Sequence, residues 1–334
     1  MMKLKHLFEN YDLAKECLAQ YDHDEASAEE MLQRFRISSN AVYPFRSGTN
    51  PSEVCFLRLS PVEEKPLSSV LCEIRLLQWL REAGCPVMEP VLMNNGKLAD
   101  TLCTRWGDYN VSCFKRVPGR PLDGIGGTPA LVRGYGRSLG ALHAVLSRYP
   151  AAHERRDHTA LLCEIRGRLL RYGAPAFMLH ELDFVEEALC RQPIREDNYG
   201  IVHYDYEPDN VFYDEKTDTF SAIDFDDMMR CWFSLDVACA LDSLDDMADF
   251  ANDAEAAQAQ EAFILGYREA FPLSDEDARA MPLMRRLLRL RQYSTLLYAL
   301  SEPTEQEPQW LVQLKEKLTK RIASLEAAVE GRGE

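Results

Sequence analysis

The stretch HYDYEPDN, residues 203–210, places groups that can do chemistry between two apolar pairs. His203, Asp205 and Asn210 have the spacing H-x-D-x-x-x-x-N, and Asp224 follows fourteen residues later in AIDFDD. A loop carboxylate, then an amide, then a second carboxylate is the order that phosphoryl transfer uses. We therefore predict that Asp205 is the catalytic base and that Asn210 and Asp224 are metal ligands.

Phosphoryl transfer needs these residue types for physical reasons. The acceptor hydroxyl must be oriented and must lose a proton, which a loop carboxylate can accept. Mg²⁺ prefers carboxylate and amide oxygens and also binds the nucleotide phosphates. Asp226 could reach the metal or the acceptor, or it could cap the next turn. YEPDN alone would be an ordinary turn, but the whole ordered pattern favours a site.

The composition limits the class of protein. The chain has 334 residues, 46% of them hydrophobic, and a formal net charge of −16. This length favours two domains or two lobes. The acidity argues against a nucleic-acid partner and would not repel a cationic acceptor. The ten cysteines show no CxxC spacing, which predicts reduced thiols and a cytoplasmic protein. No apolar run is long enough for a membrane span, so we predict no membrane partner.

Hydrophobic patterning predicts the elements that position the loop. Before residue 118 it predicts helices over 3–20 and 26–35, a hairpin around RSGTNP, a helix over 68–84 with Ser68 as a candidate N-cap, and two further strands. After a stretch rich in Gly and Pro, the predicted helices are 130–149, 176–191, 236–270, 276–300 and 308–329.

This order of elements predicts an α+β fold with two lobes. The predicted N-lobe covers residues 1–115 and consists of a small antiparallel sheet with helices. The family resemblance described next implies that this lobe binds the nucleotide. The predicted hinge is 116–120. The predicted C-lobe, residues 121–334, is mostly helical and carries the catalytic loop, the metal site and the acceptor site.

Six stretches carry a resemblance to a known family. They are RSGTNPSEVCFLRL, CEIRLLQWLREAG, FKRVPGRPL, LGALHAVL, VHYDYEPDNVFYD and AIDFDDMMRCWFSLDVACAL, in family order over residues 40–241. Through them the sequence resembles the aminoglycoside phosphotransferase and choline kinase-like family, within the protein kinase-like fold. The resemblance implies a bilobal kinase, with ATP and Mg²⁺ as cofactors, that phosphorylates a hydroxyl of a small molecule or, in some members, of a protein.

The resemblance also implies roles for single residues. In the C-lobe, His203 would brace the catalytic loop and Asp236 would be a structural residue. In the N-lobe, Glu73 would orient the basic residue of the third strand, where Arg58 stands in place of the usual Lys. The remaining nucleotide contacts would come from the phosphate-covering hairpin and the hinge, at Gly48, Asn50, Lys115, Arg116 and Val117.

The sequence departs from the family pattern at Tyr204, where many relatives have a small residue. We expect its bulky side chain to narrow the mouth of the active site. DFDD replaces the DFG of protein kinases, and no APE-like segment follows, which disfavours a protein kinase with an activation loop.

Other charged residues have less specific patterns. An acidic segment that includes Asp245 and Asp246 is either a solvated helix face or a binding site for an amine-bearing acceptor. Solvent exposure is expected for Glu207 and Asp209. The basic run MRRLLRLRQ is expected to form ion pairs within the chain, and His143 is expected to be a packed structural residue.

The predicted function is transfer of the γ-phosphoryl group of ATP, with Mg²⁺, to a hydroxyl of a small molecule, with an amine-bearing acceptor as one candidate. Two alternatives stay open among kinases: a homoserine- or choline-type kinase, and a Ser/Thr protein kinase of the same fold. A catalytically silent nucleotide-binding regulatory protein is the alternative from another class.

Overall fold

The computed structural model describes residues 3–4, 10–34, 36–37, 41–302 and 309–331. The chain divides into two compact units, Met1–Pro118 and Gly119–Glu334, and the division falls within the predicted hinge at 116–120. The first unit contains an antiparallel sheet and the second is mostly helical. The predicted α+β class is confirmed.

The first unit has three helices and five strands among its described residues. They are α1 Tyr11–Leu18, α2 Glu25–Leu32, β1 Arg36–Ile37, β2 Ala41–Arg46, β3 Val54–Pro61, α3 Leu67–Glu82, β4 Ala99–Thr104 and β5 Gly107–Lys115. The sheet order is β1-β2-β3-β5-β4, and all pairs are antiparallel. Leu57 and Val111 are buried in one hydrophobic core with Leu13 and Leu18 of α1. The predicted hairpin around RSGTNP is β2–β3.

Two helix predictions in this unit need correction. The helix predicted over 68–84 begins at Leu67, and its N-cap is Pro66, with no side-chain capping bond from Ser68. Proline fixes an extended backbone before the first turn, so the helix starts one residue earlier than a Ser68 cap requires. The helix predicted over 3–20 is α1, which the Asn10 side chain caps by accepting from Leu13 N at 2.9 Å. Residues 5–9 of that prediction lie outside the described residues.

The second unit has seven helices and five short strands among its described residues. They are β6 Arg120–Pro121, α4 Pro129–Leu146, α5 His158–Arg171, α6 Ala176–Cys190, β7 Tyr199–Val202, β8 Val211–Asp214, β9 Thr219–Ala222, β10 Met229–Trp232, α7 Ser234–Asp242, α8 Asp253–Ala270, α9 Asp275–Ala299 and α10 Gln309–Glu330. Helix α5 and strand β10 were not predicted. Helix α5 begins where Asp157 accepts the backbone N–H groups of Thr159 and Ala160, both at 3.1 Å.

Two small antiparallel sheets hold the loop between β7 and β8. Strand β7 pairs with β10, and β8 lies between β6 and β9. In the β8–β9 hairpin Val211 is opposite Ala222, so residues 210 and 223 meet at the open end of the hairpin. The hairpin therefore brings two parts of the sequence motif side by side.

Helices α4 and α8 pack backbone against backbone. A Cβ atom added to Gly136 would collide with the carbonyl oxygen of Phe263, and one added to Gly266 would collide with the carbonyl oxygen of Arg133. Glycine is needed at both positions because no side chain fits between the two helices.

The single helix predicted over 236–270 was wrong. Helix α7 ends at Asp242, a short 3₁₀ turn covers Leu244–Asp246, and α8 begins only at Asp253. The Ser243 hydroxyl donates back to the Cys239 carbonyl at 3.0 Å, and Asn252 caps the new helix. The aspartates of this acidic segment therefore do not share one helix face. They lie on α7, on the 3₁₀ turn, on the segment after it and on α8, at positions 242, 245, 246, 249 and 253.

Among the helices that the structure describes, none is both long enough and apolar enough to cross a membrane.

Candidate active site

The backbone of the loop after β7 is held by Asp236, which is fully buried in the first turn of α7. Asp236 Oδ2 accepts the N–H of His203 at 2.6 Å, and Oδ1 accepts the N–H of Tyr204 at 2.8 Å. His143 Nε2 lies 3.0 Å from the same carboxylate, and His143 Nδ1 lies 2.8 Å from the Tyr267 hydroxyl. Both ring nitrogens of His143 are used inside the protein, as the prediction of a structural residue requires.

The His203 ring connects the loop to the segment before Asp224. Its Nε2 lies 2.8 Å from the carbonyl oxygen of Ile223, so Nε2 carries the hydrogen, and Nδ1 can accept from Asp205 N at 3.3 Å. The ring is fully buried and its centroid lies 4.5 Å from that of Phe225. His203 thus orients the backbone around Asp205.

Asp205 and Asn210 are half-buried and directly bonded to each other. The Asn210 side-chain amide donates to the Asp205 carbonyl at 3.0 Å and to Asp205 Oδ2 at 3.1 Å. Both contacts use the amide nitrogen of Asn210, which leaves its Oδ1 as the oxygen that can bind a metal.

Asp224 is brought next to this pair by the β8–β9 hairpin. Ile223 N donates to the Asn210 carbonyl at 2.9 Å, and Asp224 follows with a φ of 60°. Asp226 is half-buried in the turn that follows. Across the part of the chain that the structure describes, no three His, Cys, Asp or Glu side chains are grouped so that they could hold a metal by themselves. An amide and a carboxylate suit a hard cation that phosphates also bind.

Arg291 of helix α9 lies at this site, 86 residues after Asp205, and we did not predict it there. Its Nη1 is 3.7 Å from Asp205 Oδ1, and its Nη2 donates to Asp227 Oδ2 at 2.6 Å. The guanidinium carbon lies 3.9 Å from the centroid of the Tyr204 ring. Helix periodicity could have indicated this position. Leu287 and Ser294, four residues before and three residues after Arg291, are buried, so Arg291 lies on the inner face of α9.

Tyr204 does not narrow the mouth of the site. Its side chain is fully buried, and its ring lies against the guanidinium of Arg291. The backbone explains the inward direction, since Tyr204 has a φ of 79° while its N–H is bound by Asp236. The expectation of a narrowed mouth was therefore wrong.

Two further arginines of the basic run in α9 form ion pairs, as predicted. Arg285 donates to Asp242 and Arg286 to the buried carboxylate of Glu181. Both pairs lie within the second unit, and their carboxylate partners neutralise the positive charges of Arg285 and Arg286.

Glu207, two residues after Asp205, is half-buried rather than exposed, contrary to expectation. Burial, followed by the charges of Asp205 and Asp209, raises the pKa of Glu207 from 4.5 to about 7. The Cys239 thiol donates to Glu207 Oε1 at 3.7 Å. The side chain of Asp209 is exposed, as predicted.

The acidic residues near the loop are brought together by backbone hydrogen bonds. Gly124 N donates to the Asp246 carbonyl at 2.8 Å, and Asp123 N donates to the Pro208 carbonyl at 3.3 Å. Although both side chains reach solvent, desolvation by the surrounding loop is the first cause that raises the pKa of Asp209, followed by the carboxylates of Asp205 and then Asp123. The pKa of Asp246 is likewise raised first by desolvation, then by Asp123 and Asp245. Asp245 and Asp246 are exposed on the 3₁₀ turn, and Asp123 is a member of this group that we did not predict.

In the first unit, Arg58 and Glu73 form a buried bidentate ion pair. Arg58 Nη1 and Nη2 donate to the Glu73 carboxylate at 2.9 and 2.5 Å, and Arg58 Nε donates to Ser112 Oγ at 3.3 Å. The two side chains are 6% and 1% exposed. The Arg58 guanidinium carbon also lies 4.7 Å from the centroid of the Phe114 ring.

The β2–β3 turn holds Gly48 and Asn50. A Cβ atom on Gly48 would collide with the Asp22 carboxylate, whose Oδ2 accepts the N–H of Thr49 at 2.8 Å. The Asn50 side chain accepts from the Ser52 hydroxyl at 2.6 Å. The turn is thus ordered by its own side chains and by Asp22, with the Gly48 backbone exposed.

The predicted hinge residues use part of their backbone within the first unit. Lys115 N donates to the Glu89 carbonyl at 2.8 Å, and Arg116 N donates to the Val54 carbonyl at 2.9 Å. The Lys115 side chain is paired with carboxylates of Glu53 and Glu89. Among the three predicted adenine contacts, the N–H of Val117 is the donor for which the described residues supply no backbone partner.

The fold and the order of these residues define a kinase-like phosphotransferase. The sequence profile of the phosphotransferase enzyme family matches residues 33–320, and the chain belongs to this family. The amicoumacin kinase of Bacillus subtilis (strain 168) is 23% identical over 316 residues, which are 92% of this chain and 91% of the relative. A homoserine kinase of Caulobacter sp. (strain K31) is 28% identical over 228 residues, which are 66% and 67% of the two chains.

Solved structures show the same fold. An amicoumacin kinase in complex with AMP-PNP and Ca²⁺ superposes with a TM-score of 0.76 at 20% identity, covering 94% of this chain and 93% of that chain. A microcompartment-associated aminopropanol kinase has a TM-score of 0.68 at 21% identity and covers 97% and 99%. The predicted family, the bilobal protein kinase-like fold and the phosphotransferase activity are confirmed.

Proposed function

We propose that the chain transfers the γ-phosphoryl group of ATP, in the presence of Mg²⁺, to a hydroxyl group of a small molecule that carries an amine. The observation that carries the proposal is the Asp205–Asn210 pair, half-buried on a loop whose backbone Asp236 and His203 hold. Such a loop presents a carboxylate with little freedom to reorient, which favours a positioned base.

In this proposal Asp205 orients the acceptor hydroxyl and accepts its proton. Its Oδ2 is bonded to the Asn210 amide, so we expect the other carboxylate oxygen, Oδ1, to accept the proton. Asn210 Oδ1 and Asp224 would hold the metal, with Asp226 as a further candidate, and the metal would neutralise charge on the phosphates. His203 acts through Asp205 and is a positioning residue.

The first unit would bind the nucleotide. We expect Arg58, held in place by Glu73, to contribute its positive charge to binding of the nucleotide phosphates. Gly48 would supply a backbone N–H to the phosphates, with Asn50 ordering the turn. Lys115 to Val117 would bind adenine through the backbone, and the Val117 N–H is the donor of the three that has no backbone partner among the described residues. The predicted functional boundaries at 1–115, 116–120 and 121–334 stay a proposal.

The acidic group around the loop supports an amine-bearing acceptor. Glu207, Asp209 and Asp246 all have raised pKa values, first because desolvation disfavours the charged carboxylate and second because other carboxylates repel it. A cation placed there would relieve that repulsion. Two of the similar proteins are named for amino alcohols, homoserine and aminopropanol, which fits the proposal. A homoserine- or choline-type acceptor is therefore one form of the proposed function.

The first test is ADP release from Mg-ATP with a panel of acceptors. The panel contains aminoglycosides, choline, ethanolamine, homoserine, methylthioribose, sugars, a generic protein substrate, and water alone. We expect one class of amine-bearing alcohol to raise the rate and its deaminated analogue to raise it much less. Asp205→Asn, which keeps the shape of the side chain, should lower kcat by about 10²-fold or more.

Asp183→Asn is the matched control, because it removes an exposed carboxylate from α6. It should leave kcat unchanged, and both variants should keep the Tm of the parent. Turnover of Asp205→Asn at the parental rate would remove Asp205 as the base. Labelling of protein alone would favour the Ser/Thr kinase alternative, and nucleotide binding without any turnover would favour the silent regulatory alternative.

A further inference from the structure

Helix α9 carries a buried positive charge to the catalytic loop. Arg291 is 20% exposed at its side chain, and its guanidinium lies among two carboxylates and one aromatic ring, from Asp205, Asp227 and Tyr204. Burying a guanidinium is unfavourable unless it is paired. The pairing here involves the proposed base itself, whereas the neighbouring pairs of Arg285 and Arg286 involve Asp242 and Glu181.

The distance between the Arg291 guanidinium and the Asp205 carboxylate is that of an ion pair without a direct hydrogen bond. Arg291 Nη1 lies 3.7 Å from Asp205 Oδ1, which is within ion-pair range but longer than a hydrogen bond. The positive charge therefore attracts the carboxylate without occupying a lone pair that must receive the acceptor proton. A direct hydrogen bond would compete with that proton transfer.

Two other contacts fix the position of the guanidinium. Asp227 accepts from Nη2 at 2.6 Å, and the Tyr204 ring lies under the guanidinium carbon at 3.9 Å. The Tyr204 hydroxyl has no hydrogen-bond partner among the described residues, so the ring, and not the hydroxyl, is the part of the side chain that is used. Asp227 is the last residue of DFDD and Tyr204 precedes the proposed base, so the loop and the motif together determine where Arg291 lies.

We propose that Arg291 is a positioning residue that orients the Asp205 carboxylate toward the acceptor, with Asp227 as its anchor and the Tyr204 ring as its support. This inference rests on the proposed role of Asp205. It also gives a reason for Tyr204, whose bulk the family pattern does not require. A small residue at 204 would leave the guanidinium without its aromatic support.

The experiment measures kcat and KM for Arg291→Met and Arg291→Lys, using Mg-ATP and the acceptor of the panel, water included, that gives the highest rate. We expect Arg291→Met to lower kcat by about 10- to 100-fold, as small displacements of a catalytic group do, with KM for ATP within about 2-fold. Arg291→Lys should recover part of kcat, because Lys keeps the charge but cannot pair with Asp227 and lie flat on Tyr204 together.

Arg286→Met is the matched control, since it removes a buried ion pair from the same helix away from Asp205. It should leave kcat unchanged even if Tm falls. Tyr204→Phe should retain kcat, because the ring is kept, and Tyr204→Ala should lower it. Addition of ethylguanidinium to Arg291→Ala should restore part of the rate, and it should have no effect on Arg286→Ala.

The outcomes separate this inference from the proposed function. If Asp205→Asn abolishes turnover while Arg291→Met keeps the parental kcat, Arg291 has no positioning role and only the inference fails. Equal losses of kcat in Arg291→Met and Arg286→Met, in step with Tm, would also overturn it as a general stability effect. If the parent and Asp205→Asn release ADP at the same rate, the role of Asp205 fails and the inference fails with it.

Discussion

At the scale of single residues, the site depends on how one carboxylate holds the backbone of the loop. Asp236 accepts the N–H groups of His203 and Tyr204, and the second of these residues has a φ of 79°. A left-handed backbone at a non-glycine residue costs about 1–2 kcal/mol. A hydrogen bond to a buried charged group contributes about 1.5–3 kcal/mol, so two of them offset that strain. The loop geometry around Asp205 is therefore stable without a ligand.

Glu207 gives a prediction about pH at the same scale. Its pKa is 4.5 in an ordinary environment and about 7 in the folded protein. Between these values the unfolded chain loses the proton first, so the folded state becomes less favourable as pH rises, by up to about 3 kcal/mol once pH exceeds 7. Glu207→Gln removes this penalty. We expect it to raise the free energy of unfolding at about pH 8 and to change it little at about pH 4.5.

The measurement is urea unfolding of the parent and Glu207→Gln at both pH values, in EDTA so that no metal binds the loop. Glu187→Gln on the surface of α6 is the control and should show no pH-dependent difference, because its side chain is 71% exposed. If Glu207→Gln raised the free energy of unfolding more at low pH than at high pH, the pKa of Glu207 would not be raised in the folded protein, and the prediction would be wrong.

The sequence predicts some of these residues better than others. Asp205 and Asn210 lie in one loop, and Asp224 follows the β8–β9 hairpin that starts after Asn210. Their spacing therefore predicts that they come close together, as they do. Arg291 is far away in the chain, and its role depends on how α9 packs, which a local pattern does not specify. Glu207 was expected in solvent because acidic loop residues usually are, but its exposure is decided by the contact with Cys239 on α7.

At the scale of elements, the close contact of α4 with α8 gives a prediction about stability. Gly136→Ala places a methyl group against the Phe263 carbonyl, so one helix must move away from the other. We expect a loss of about 1–3 kcal/mol in the free energy of unfolding, as overpacking typically causes. Thermal and urea unfolding of the purified variant would measure it.

Gly167→Ala in α5 is the matched control. Nothing lies within 4 Å of a Cβ atom there, and the position is an exposed helix interior. Alanine should therefore stabilise the protein by about 0.5–1 kcal/mol through helix propensity. If both variants had the same sign of effect, the close packing of α4 on α8 would not be the cause.

Element boundaries were the weakest part of what the sequence predicts. The β2–β3 hairpin, α4 and α9 follow clear patterns, whereas the predicted helix over 236–270 is interrupted. Hydrophobic periodicity continues through Leu244 and Met247, both of which are buried, so the pattern does not reveal the break. The capping side chain of Asn252 and the returning hydroxyl of Ser243 decide it.

At the scale of the whole molecule, the net charge of −16 gives a prediction about salt. An acceptor with a positive charge is attracted both by the whole chain and by the carboxylates near the loop. The Debye length falls from about 10 Å at 0.1 M salt to about 3 Å at 1 M. We expect KM for an amine-bearing acceptor to rise several-fold over that range, while KM for an uncharged alcohol changes little.

The double variant Asp245→Asn, Asp246→Asn separates the local from the global contribution. It should raise KM for the amine-bearing acceptor and reduce the salt dependence, with kcat close to that of the parent. An unchanged KM would show that the charges on this turn do not bind the acceptor and that they are a solvated surface.

The backbone hydrogen bonds of the segment after Gly119 have a consequence for how this enzyme can evolve. Leu122 N binds the Pro208 carbonyl, Gly124 N binds the Asp246 carbonyl and Gly126 N binds the Met247 carbonyl, so main-chain groups make the connections. The side chains at 123, 209 and 246 can be replaced without breaking them. If the carboxylates at these positions bind the acceptor as proposed, substitutions there would change acceptor preference while the main-chain connections and the residues of phosphoryl transfer stay the same.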